Sequence, residues 1–225
     1  GALYNKEKTQ ILLYPKGKAG EYTVPSTVET VGTNAFAGNG KLTKVTLESG
    51  VKSIGNNAFS GCTALAEVAI PETVTSIADN AFASCTALTD VTIPGSVSII
   101  GRSAFEACTG LNNVSLAEGI TSIGEYTFKN CDSLTGISIP DSVTTMGRDC
   151  FYNCDKLKDV KIGSGLKTIP YECFEYCYAL ETLELSEGLE TIVSWSFDQC
   201  RNLKAVTIPN TVITIDGDAF CNCGS

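Results

Sequence analysis

Phenylalanine falls on a lattice in this chain. Phe36, Phe59, Phe82, Phe105, Phe128, Phe151, Phe174, Phe197 and Phe220 are its nine phenylalanines, each 23 residues from the next, and none lies elsewhere. Three residues after each comes a cysteine, at Cys62, Cys85, Cys108, Cys131, Cys154, Cys177, Cys200 and Cys223, with Asn39 standing in after the first. An unbroken period of this length belongs to a solenoid, in which each unit buries its apolar face only against its neighbours. The 225 residues therefore read as one elongated domain with no linker to cut.

One unit can be spelled from Phe82, Cys85, Leu88, Val91, Ile93, Pro94, Val97, Ile100, Gly101 and Ala104. A leucine column runs from Leu42 to Leu203, and an isoleucine column from Ile54 to Ile215 is broken only by Met146. Between Leu88 and Pro94 apolar residues alternate, which is the period of a strand with Val91 and Ile93 facing in. Pro94 ends that strand because it has no N–H to donate. The spacing of Ala104, Phe105 and Cys108 predicts one short helical or 3-10 turn with these residues inward. Large inward residues contribute roughly 1.5–3 kcal/mol each, enough to offset the ordering of a rung only when rungs stack. Stacking lays equivalent strands side by side about 4.8 Å apart, as a parallel sheet.

Residues 1–22 precede the first full repeat. Ala2-Leu3-Tyr4 and Gln10 to Tyr14 are strand-like around a polar turn, so an N-terminal β-hairpin is expected to cap the first rung of a solenoid spanning 23–225 in about nine repeats. At the other end the chain stops where a tenth strand is due, and a C-terminal cap or further domain is expected beyond it.

Leu-x-x-Val-x-Ile followed by Pro, Val, Ile-Gly, Ala-Phe and Cys resembles the bacterial BspA-type leucine-rich repeat, a class with a 23-residue period, over residues 22–223. The resemblance implies a leucine-rich repeat solenoid, mainly β. It implies an extracellular or cell-surface location and a role in adhesion, with protein or glycan partners such as host surface and matrix proteins; a structural spacer that displays another domain is the alternative, and a Cys-based metal or redox site comes third. Glu48, Ala117, Gly163 and Ser186 depart from the Pro of the pattern, and Pro170, Val193 and Asp216 from its Gly, which puts local loop shape in question but not the fold.

Chemistry has little to work with. There is no His, so the commonest acid–base group at neutral pH is absent, together with any Ser-His-Asp or Cys-His nucleophile. No enzymatic activity and no cofactor are expected, and pairs such as Glu172 and Glu175 read as solvated turn charges. A net charge of -9 argues against a nucleic-acid partner, and no apolar run approaches the roughly 20 residues that span a bilayer. The periodic cysteines read first as a column of small buried side chains, with a disulfide ladder as the alternative. Cys150 and Cys173 replace the Ala before Phe, so Cys150, Cys154, Cys173 and Cys177 lie in neighbouring turns. Zinc, a disulfide and inert thiols all remain open for those four.

Two surfaces are candidate binding sites. Outward strand positions carry Lys44, Glu67, Asp90, Asn113, Asp159, Lys161 and Glu184 among small Ser, Thr and Ala residues. They form either a binding face or a solvated sheet face. Aromatics gather instead beside the Phe-Cys turns, where Tyr152, Tyr171, Tyr176, Tyr178 and Trp195 stand at positions that carry small or polar residues in other repeats. They form either an interface patch or turn-edge packing.

Overall fold

The computed structural model describes residues 1–224 and shows a parallel-stacked β-solenoid of about nine turns. Leu3–Tyr4 pairs antiparallel with Gln10–Leu13, the expected hairpin, and Gln10–Leu13 then starts a parallel stack. On that side each rung contributes two residues: Thr30–Val31, Ser53–Ile54, Ser76–Ile77, Ile99–Ile100, Ser122–Ile123 and Thr145–Met146 are bonded in succession. Thr168–Ile169, Thr191–Ile192 and Thr214–Ile215 continue the side as a separate sheet. Pro170 explains the break. In the rungs before it Gly101, Gly124 and Gly147 each donate their N–H to the isoleucine carbonyl of the preceding rung, and proline cannot make the equivalent bond.

Longer strands form the second side, Gly20–Val24, Leu42–Leu47 and Glu67–Ala69 in one sheet and Asp90–Ile93, Asn113–Leu116, Gly136–Ser138, Asp159–Lys161 and Thr182–Glu184 in another. Their burial alternates, as in Asp90–Ile93, where Val91 and Ile93 are buried between exposed Asp90 and Thr92. The turn after the strand survives its substitutions: the N–H of Val51 bonds to the Glu48 carbonyl at 3.1 Å just as Val97 bonds to Pro94 at 3.0 Å.

The expected helical turn is not there, and among the described residues there is no helix. In the rung of Phe82 the N–H groups of Ala81, Ala83 and Cys85 close three separate turns onto Ala78, Asn80 and Phe82. The alternate N–H groups, of Asn80, Phe82 and Ser84, donate instead to Arg102, Ala104 and Glu106 of the next rung at 2.7–2.8 Å. A helix would have used every donor within its own segment. The turns are possible because the residues two before and two after each Phe take a left-handed backbone, here Asn80 at φ 55° and Ser84 at φ 59°.

All eight phenylalanines from Phe36 to Phe197 are fully buried and stack on one another, with ring centroids 4.7–5.5 Å apart. Tyr14 extends the stack by one place, 5.0 Å from Phe36, and its N–H bonds to Ala35 as Phe36 bonds to Ala58. Sequence reading took Tyr14 only as the end of a hairpin strand, because its distance from Phe36 departs from the period. The cysteine column has a hydrogen-bonding reason. Each of the eight Sγ–H groups donates to the carbonyl of the Phe one rung back, at 3.1–3.3 Å. Asn39 takes the first position because it must also hold the entry segment. Its Nδ2 donates to the Pro15 and Lys18 carbonyls, both at 3.2 Å, and its Oδ1 accepts from the Lys41 and Leu42 N–H groups.

Candidate functional site

On the strand face the outward charges are paired along the stack. Lys44 Nζ lies 2.7 Å from Glu67 Oε1, the Asn113 amide donates to Asp90 Oδ1 at 2.6 Å, and Lys161 lies 4.0 Å from Glu184. Glu67 holds the Lys44 ammonium above its usual range, and the Asn113 bond holds the Asp90 carboxyl below its own. Exposed pairs of this kind add little to stability, and they leave few free charges for a partner. Where Gly136 interrupts the ladder a hollow of about 440 Å³ opens, edged by Ser138, Asp159, Lys161, Thr182 and Glu184.

The turn edge is different. Tyr152 meets Tyr176 edge-on at 5.3 Å, Tyr176 meets Tyr178 at 5.9 Å, and Tyr171 lies 5.5 Å from Trp195. The four tyrosines are half-buried and Trp195 is 39 % exposed. Tyr126, which the sequence reading passed over, belongs to the same edge. Arg102, Lys129 and Arg148 place their cations 5.0, 5.0 and 5.4 Å from its ring centre. Lys129 also stands 4.2 Å over Tyr152 and 3.5 Å from the buried Asp149 carboxylate.

Three of these rings are held at a backbone cost. Tyr126 (φ 59°), Tyr176 (φ 61°) and Trp195 (φ 58°) occupy left-handed positions that earlier rungs give to Asn34, Asn57, Asn80, Gly38 and Gly61, and also to Ser84, Ser103 and Ala107. Left-handed backbone costs a residue with a Cβ about 1–2 kcal/mol, and it is rare for bulky side chains. Reading each left-handed column down the sequence would have exposed Tyr126, but only once those columns were known.

Glu175 also corrects the sequence reading. It is buried, 7 % exposed, and its Oε2 has no hydrogen-bond partner. Burial, and then the neighbouring Glu172, push its carboxyl up to about 7. In return, burial and Glu175 push the Tyr152 phenol up to about 12.

Cys150, Cys154, Cys173 and Cys177 are each fully buried free thiols, and burial holds all four far above the usual thiol range. Among the described residues no group of three or more Cys, Asp or Glu is placed to hold a metal ion. The same residues include no helix long and apolar enough to cross a membrane.

Stacked parallel strands and a buried leucine column define a leucine-rich repeat solenoid, an architecture whose extended surfaces serve protein interaction. The model of the BspA-type leucine-rich repeat region matches residues 14–131 and 98–225 in six copies, and the chain belongs to that family. It is similar in structure to a leucine-rich repeat protein of T. pallidum, with a TM-score of 0.63 and 28 % identity over 90 % of this chain and 87 % of that one. A leucine-rich cell surface protein of Faecalibacterium prausnitzii aligns with a TM-score of 0.51 and 24 % identity over 91 % of this chain and 76 % of that one. The pneumococcal vaccine antigen PcpA aligns with a TM-score of 0.58 and 19 % identity over 96 % of this chain and 73 % of that one. These last two likenesses bear on the fold alone. No curated protein matches the sequence.

Proposed function

We infer that the chain is an extracellular or cell-surface adhesion module that binds a protein partner through the aromatic turn edge rather than through the strand face. The observation that carries this reading is the placing of Tyr126, Tyr176 and Trp195 at left-handed positions where Asn, Ser or Gly would be easier. The same left-handed columns also hold Ala107, Glu172 and Gln199, so the strain belongs to the turn, while the Tyr and Trp placed there are favoured interface anchors. The location is proposed from membership of the BspA-type leucine-rich repeat family. The paired charges of the strand face make it the weaker candidate.

Immobilised matrix and host-surface proteins, with glycans as a separate arm, are the panel for the test. Replacing Tyr176 and Trp195 together by Ser should weaken binding to a protein ligand at least about 30-fold, the size expected for losing an anchor worth about 2 kcal/mol. A variant with Asp159, Lys161 and Glu184 changed to Ala should bind as the parent does. Unchanged binding by the folded Ser variant, or binding to glycans only, would sink the reading.

A further inference from the structure

The turn edge is divided by charge. Around Tyr126 stand Arg102, Lys129 and Arg148, and two to three rungs on stand Glu172, Glu175 and Asp198 among Tyr171, Tyr176 and Trp195. In the first half the edge completes itself, since Lys129 lies over the Tyr152 ring and beside Asp149. In the second half the same elements recur, with rings and carboxylates one turn apart, and the cation is missing. Among the described residues no Lys or Arg comes within ion-pairing distance of Glu172, Glu175 or Asp198. Arg201 of the next rung has its guanidinium 4.9 Å over Tyr178 and bonded to Gln199 Oε1 at 2.9 and 3.1 Å. Asp198 spends its Oδ1 on Asn222 and on the Gln199 N–H. That leaves Glu175 Oε2 buried without a hydrogen-bond partner, on a carboxylate that the Tyr176 phenol also bonds and that feels the charges of Glu172, Asp149 and Asp198.

We propose that this acidic, ring-lined half of the turn edge receives an arginine or lysine side chain from the partner protein, at the place where Lys129 shows the chain's own solution. A guanidinium can lie against a ring face and donate to a carboxylate at once, and both contacts strengthen in a partly dry site. The proposal rests on the adhesion reading and specifies its chemistry: the partner presents a basic segment.

Trp195 is the chain's single tryptophan, so its fluorescence reports this half of the edge directly. The probe is a synthetic peptide of arginine spaced by glycine and serine, compared with the same peptide carrying glutamate. The arginine peptide should change Trp195 emission saturably and the glutamate peptide should not. Changing Glu172 and Glu175 to Gln and Asp198 to Asn keeps the rings and the shapes, and should weaken the arginine peptide about tenfold or more, the effect of losing about 1.4 kcal/mol. The amide changes Glu67→Gln and Asp90→Asn on the strand face control for the overall negative charge and should leave the affinity as it was. Binding should also weaken as pH falls below about 7, because Glu175 takes up its proton there. Equal binding of the two peptides, or unchanged affinity in the triple amide variant, overturns the proposal. If the arginine peptide fails while Tyr176→Ser with Trp195→Ser still abolishes capture of a protein ligand, only the basic-segment proposal falls. If capture survives loss of the rings, the adhesion reading itself falls.

Discussion

Phe128→Ala should cost about 3–5 kcal/mol and divide the molecule. Phe128 is fully buried midway along the stack, with Phe105 5.5 Å away on one side and Phe151 5.3 Å away on the other. Removing the ring takes away its transfer free energy and leaves a cavity between rungs whose backbones are fixed by hydrogen bonds to both neighbours, so the site cannot collapse to fill it. Because each rung touches only its neighbours, coupling between the two halves passes through this layer, and weakening it lets them unfold separately. Urea denaturation checks the point by comparing circular dichroism, which sees every strand, with Trp195 fluorescence, which sees only the C-terminal half. The parent should give coincident curves and the variant displaced ones. Phe220→Ala serves as reference. Phe220 is partly exposed and stacks only on Phe197, so its loss should cost clearly less.

Asn39→Ala should cost about 2–4 kcal/mol, concentrated at the N-terminal end. The side chain is fully buried and satisfies two carbonyls of the entry segment and two N–H groups of its own turn. Each buried group left without a partner costs about 1–3 kcal/mol, partly recovered where water can enter. Asn39→Cys restores the residue that other rungs carry but supplies one weak donor and no comparable acceptor, so it should recover only part of the loss. Hydrogen exchange is the measurement. The Tyr14 and Leu42 amides should lose protection in both variants while those of Phe128 and Phe151 keep theirs. Equal loss along the whole stack would show that Asn39 does not act as the local tie between cap and first rung.

The lattice of Phe, Leu, Ile and Cys was legible in the sequence because each column is buried in nearly every rung, and burial restricts residue type at a fixed spacing. The Phe-Cys turn was misread as helical because a spacing of three suits a helical turn and a chain of β-turns alike. What separates them is where alternate N–H groups point, and that depends on the next rung. Glu175 was misread for a related reason. In sequence it is one of two acids in a polar turn, while its burial depends on neighbouring rungs that the turn itself does not reveal. The aromatic residues of the edge were visible one by one, from Tyr152 to Trp195. The basic group around Tyr126 was not, because Arg102, Lys129 and Arg148 are 27 and 19 positions apart and meet only through stacking.

The turn edge holds its rings in a backbone that resists them, and one pair of variants at position 195 tests this most directly. Trp195→Gly and Trp195→Ala both remove the indole and its contact with Tyr171, so the difference between them reports the backbone alone. At an ordinary position glycine is the less stable of the two by about 0.5–1 kcal/mol. With φ at 58°, glycine should instead be the more stable by about 1 kcal/mol, read as a higher urea midpoint at unchanged slope. A glycine variant no more stable than the alanine variant would contradict the left-handed backbone at Trp195, and with it the argument that the chain accepts strain to present these rings.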